Sequence, residues 1–133
     1  MPEIVDDGES LARFLTQSGH YNHIQAKPVA FLPNPNDRTT SVSRHAADPM
    51  DELWAIGEMV VAESGRNLHG AVIIEASVVR KIGLDIISDE PPPRHAVISD
   101  WPWEGIDPEA EKARRKDLAN QLASVASRPI LKR

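Results

Sequence analysis

Three of the five histidines stand at the ends of apolar runs: His45 closes SVSRH, His69 opens HGAVII and His95 opens HAVIS. Imidazole exchanges protons near neutral pH, so two of them at one sheet edge could share general acid and general base work. Arg44 and Arg94 each adjoin one of these histidines, where a guanidinium could hold an anion. His45, His69, His95, Arg44 and Arg94 are therefore the candidate catalytic set, for a histidine-dependent enzyme acting on a phosphate ester or nucleotide at a sheet-end pocket. Convergence depends on strand direction. His69 and His95 share a sheet end only if their strands run parallel, whereas His45, ending its strand, joins either one only if the two run oppositely. Ser41 and Ser43, beside Arg44 in TTSVSRH, could add hydroxyls for an anion, although simple alternation that buries Val42 also accounts for them.

A histidine at the head of each of two strands resembles the two-histidine phosphoesterases, a resemblance that implies paired-imidazole phosphodiester chemistry. That family places serine or threonine two residues after each histidine to hold phosphate; this chain has Ala71 and Val97 there. His20 and His23 in GHYNHI have a spacing that can put two imidazoles on one metal. They lack an adjacent carboxylate and the helical His-Glu-x-x-His setting, so neither metal nor cofactor is expected. No phosphate-binding P-loop, dinucleotide glycine pattern or Gly-x-Ser-x-Gly elbow occurs, which removes the ATPase, kinase, Rossmann dehydrogenase and α/β-hydrolase classes.

A second candidate site is PPPRHAVISDWPW, Pro91 to Trp103. Trp101 and Trp103 lie two apart, so they face one side of an extended chain. With Arg94 they form a candidate binding edge of the residue types that dominate interaction hot spots, or else a packed seam. The leading expectation is thus a small soluble interaction or accessory module, without catalysis of its own, that binds a protein partner through this edge and the basic C-terminal helix.

Charge supports that order. The 133 residues carry a net charge of −5, with 17 acidic and 8 basic side chains in residues 1–107 but three acidic and seven basic in 108–133. An acidic body argues against broad nucleic-acid binding. No apolar run approaches membrane-spanning length, the acidic start is unlike a secretory signal, and cysteine is absent, so a cytoplasmic protein is expected.

The elements that must position these residues read as one α+β domain over 1–133, with 127–133 a flexible basic tail. DDGESLARFLTQSGH reads as a short helix and KPVAFLP as a strand, followed by strands at SVSRH, HGAVIIEA, LDIIS and HAVIS. DPMDELWAIGEMVVAESG is a core-facing helix with Asp48 as cap, Pro49 in its first turn and the stripe Met50, Leu53, Trp54, Gly57, Val60 and Val61. SVVRKIG is a short helix. DPEAEKARRKDLANQLASVAS is a second long one, capped by Asp107 and buried along Leu118, Leu122, Val125 and Ala126. The expected architecture is a mainly antiparallel sheet of about five strands backed by two longer helices and one or two short ones.

Overall fold

Alternation of side chains decides the centre of the sheet. In Ser10–Leu15, strand β1, Leu11 and Leu15 are fully buried in one cluster while Ala12 is fully buried in another. The computed structural model describes residues 4–45, 50–62, 64–90, 94–103 and 105–132. The helix expected here is therefore a strand. A central strand is apolar on both faces, and its Leu-Phe-Leu spacing imitates a helical stripe.

The other elements are β2 (Thr40–His45), α1 (Met50–Ala62), β3 (Gly70–Glu75), α2 (Ala76–Lys81), β4 (Asp85–Ser88), β5 (His95–Ser99), α3 (Pro108–Val125) and β6 (Ile130–Leu131). The strands line up as β4-β5-β2-β1-β3-β6, and every neighbouring pair is antiparallel. The chain is thus a single small α+β domain, whose described residues form an antiparallel six-stranded sheet with three α-helices. β6 is the strand missing from the sequence reading: within the expected tail, Leu131 and Ile130 pair with Gly70 and Ala71. Gly70 permits this, because a Cβ there would collide with the Ile130 carbonyl. KPVAFLP also departs from expectation. Pro28–Phe31 forms a 3₁₀ turn with Pro28 at its start, burying Ala30 and Phe31. A short apolar run does not distinguish a strand from a tight helical turn.

Two layers flank the sheet. On one side α3 and the 3₁₀ turn cover Leu11, Leu15, Val42, Val72 and Ile98. The Asp107 carboxylate accepts the Ala110 N–H at 3.2 Å, so α3 begins with the cap and the proline that the sequence announced. Its buried stripe is Leu118, Ala119, Leu122 and Ala123; Val125, expected inside, is half exposed. On the other side α1 sets Leu53 against Ala12 and Ala71, with Phe14, Trp54 and Ile73 around them. The Asp48–Pro49 start expected for α1 lies outside the described residues, as does Pro91–Pro93 between β4 and β5.

Candidate functional site

The joint between β1 and β2 is incomplete. β1 pairs with β3 along all six residues, but with β2 only through Ser10↔His45, Leu11↔Arg44 and Ala12↔Ser43. Past that point the two strands separate. The Arg44 N–H bonds the Arg94 carbonyl at 2.7 Å, so even-numbered residues of β2 bond toward β5 and odd-numbered ones toward β1. The Ser41 carbonyl therefore faces the gap. Arg13 fills it: its Nη1–H donates to the Ser41 carbonyl at 2.9 Å and its Nε–H to the Ala30 carbonyl at 2.7 Å.

A cavity of about 730 Å³ opens at this split, beneath the second half of α1. Phe14, Ile56, Val60 and Val61 give it an apolar wall, Ser41, Ser43 and His95 a polar floor, and Arg13 and Arg66 a cationic end beside His20. The volume falls in the range of small-molecule sites, which combine apolar walls with a few polar groups. Arg13 is unusual among the charges. Burial, helped by repulsion from Arg66, pulls its pKa down to about 10, and its hydrogen bonds go to neutral carbonyls, with no carboxylate among the described residues paired to it. It stays cationic at neutral pH. Burial also lowers the His20 pKa, reinforced by Arg13 and Arg66, so free His20 is held neutral.

The floor carries a second unusual arrangement. Ser43 and His95 are cross-strand partners on β2 and β5. Because residues 44 and 94 form the hydrogen-bonded pair, 43 and 95 form the non-bonded kind, where side chains stand closest, with Cα atoms about 4.5 Å apart. Ser43 is 2% exposed, and its hydroxyl has no hydrogen-bond partner among the described residues. His95 Nδ1 lies 3.0 Å from the Asp89 carbonyl and 3.4 Å from an Asp89 carboxylate oxygen. A carbonyl only accepts, so Nδ1 carries the proton in that bond, and Nε2 of the neutral ring is left as the acceptor.

The structure separates the other sequence candidates. β3 and β5 run in opposite directions, which puts His69 and His95 at opposite ends of the sheet, and His69 Nδ1 bonds the Tyr21 hydroxyl at 2.9 Å. The paired-imidazole arrangement of His69 with His95 is thereby removed, and with it the basis for the phosphoesterase resemblance. His45 ends β2 at the same sheet end as His95, two residues beyond Ser43. Arg44 faces away from His95 and forks onto Glu9, Nε to Oε1 at 2.7 Å and Nη2 to Oε2 at 2.8 Å. That bond holds the Glu9 carboxyl below its usual range.

Arg94 pairs with Glu52 at the start of β5, whereas the tryptophans follow the end of that strand. Trp101 is buried at 6% exposure, with Nε1–H donating to the Ile98 carbonyl at 3.2 Å. Trp103 is half-buried, with the Arg115 guanidinium 3.8 Å and the Arg38 guanidinium 5.5 Å from its ring centre. Arg94 and the two rings therefore stand at opposite ends of β5. His20 reaches the cavity while His23 is exposed, and no group of three or more histidine, aspartate or glutamate side chains among the described residues is placed to hold a metal ion.

Sequence reasoning missed Arg13, which was hidden inside the misassigned helix; a lone arginine in the middle of SLARFL was the available signal. Comparison with known proteins yields no matching family model, no matching curated protein and no matching solved structure. No helix among the described residues is long and apolar enough to cross a membrane.

Proposed function

We propose that this domain binds a small molecule with one anionic group and an apolar body, in the cavity between α1 and the open joint of the sheet. The carrying observation is Arg13, a partly buried cation held by two carbonyls and without a countercharge among the described residues. Partial burial weakens the hydration of that charge, and a carboxylate or phosphate reaching it would offset the loss with charge-assisted hydrogen bonds. Arg66 and His20 line the same end, and the apolar wall of α1 suits the rest of the ligand. The Pro91–Trp103 edge has less to offer a partner, since Trp101 is core and Trp103 is covered by Arg115.

Thermal melting with inorganic phosphate, a nucleoside monophosphate and octanoate tests the reading. At least one should raise the melting temperature, because a ligand at 100 times its Kd stabilises by about 2.7 kcal/mol. Arg13→Gln should abolish that rise. Arg13→Lys, which keeps the charge but cannot span two carbonyls and a ligand, should retain part of it. No rise with any probe, or an equal rise in Arg13→Gln, would overturn the proposal.

A further inference from the structure

We infer that Ser43 is a nucleophile and His95 its general base, forming an acyl-transfer site on the cavity floor that hydrolyses small carboxylic esters. The inference goes beyond ligand binding at Arg13 and does not depend on it. It rests on three observations that meet at one place.

The Ser43 hydroxyl is buried, lines the cavity and has no hydrogen-bond partner among the described residues, which a stable core would avoid by using alanine. Its cross-strand neighbour is a histidine on the same sheet face. That histidine lines the cavity and is held by Asp89 through Nδ1, which leaves Nε2 as its acceptor nitrogen. A nucleophile, a base of defined tautomer and a group that orients the base are three of the parts that acyl transfer uses. The Ser43 hydroxyl is not bonded to Nε2 in this structure. A serine needs one χ1 rotation to turn, and such bonds are commonly long before substrate enters.

The chemistry closes without a cofactor. The Ser43 Oγ attacks the ester carbonyl carbon as its proton passes to His95 Nε2. The tetrahedral adduct collapses, the bond to the leaving oxygen breaks, and His95 returns the proton to release the alcohol. Water then attacks the acylated serine by the same route, giving a carboxylic acid and restoring Ser43. Asp89 touches neither reactant; it positions the imidazole and balances its charge while protonated.

A fluorophosphonate probe, followed by peptide mapping, tests this on the intact chain. One adduct should form, on Ser43. Ser43→Ala should lose it, while Ser99→Ala, which removes another buried hydroxyl without a partner among the described residues and away from the cavity lining, should label normally. His95→Ala should slow labelling at least ~100-fold, and added imidazole should restore part of the rate, which a purely structural histidine would not allow. Melting curves establish that each variant is folded. No adduct on the folded protein, or an adduct on a different serine, overturns the inference; phosphate or octanoate binding that still requires Arg13 would then leave the ligand site standing.

Discussion

The helix α1 covers two halves of one sheet face, and they are built differently. Over β1 and β3 it lies close: Leu53 packs on Ala12 and Ala71, and a Cβ on Gly57 would sit 2.8 Å from both Leu68 Cδ2 and Phe14 Cε1. Over β2 and β5 the same helix stands above the cavity, with Ile56, Val60 and Val61 facing Ser41, Ser43 and His95. Small apolar residues let backbones approach and complete a core. Serines and a histidine on the facing strands leave room and polarity instead. The closed half holds the helix in place, so the open half can stay open.

This contrast can be broken in order of size. Leu53→Asp should unfold the domain, because it places an unpaired charge at a position only 1% exposed; loss of the folded circular-dichroism signal is the check, and a soluble variant with unchanged melting would refute the closed half. Substitutions along α1 should then separate the halves. Gly57→Val should cost about 1–3 kcal/mol, since Leu68 and Phe14 must move, while Val60→Leu should cost less than about 1 kcal/mol because it grows into the cavity. Equal costs in urea melts would mean the two halves are packed alike.

The smallest effect concerns the paired end of the β1–β2 joint, which Arg44 and Glu9 clamp. The folded-state pKa of Glu9 is lowered, so its contribution is complete above the unfolded value of 4.5 and disappears as pH falls through the folded value. Glu9→Gln should cost about 1–2 kcal/mol at pH 7. That difference should vanish at low pH, and one that persists at pH 2 would show that the clamp works by packing.

Much of the architecture was legible because it is written in local signals. The Asp-Pro start of α3, the 3-and-4 stripe of α1 and the runs that became β2, β3, β4 and β5 all follow from short-range chemistry. β1 was misread because burial on both faces erases the period of two, and β6 was missed because two residues carry no period at all. The site was half visible. Ser43 and His95 were each noted as candidates, but they meet only through the register Ser43↔His95, a fact about strands separated by residues 46–94. Arg13 matters because β1 and β2 part after three pairs, and no local pattern encodes where a ladder stops.

The order of the strands also bears on how quickly the parts of the domain come together. β4 and β5 are joined by residues 89–94 alone, whereas β1 must wait across residues 16–39 for β2 and across 16–69 for β3. Closing long loops slows folding, so the β4–β5 hairpin is expected to form earliest. Pulsed hydrogen exchange would then protect the amides of β5 before those of β3, and the reverse order would exclude this sequence of events. Asp89 and His95 both belong to that hairpin, so the imidazole would be held before its serine neighbour arrives on β2. Assembly of the floor would thus be a late step, timed by the slowest strands to find one another.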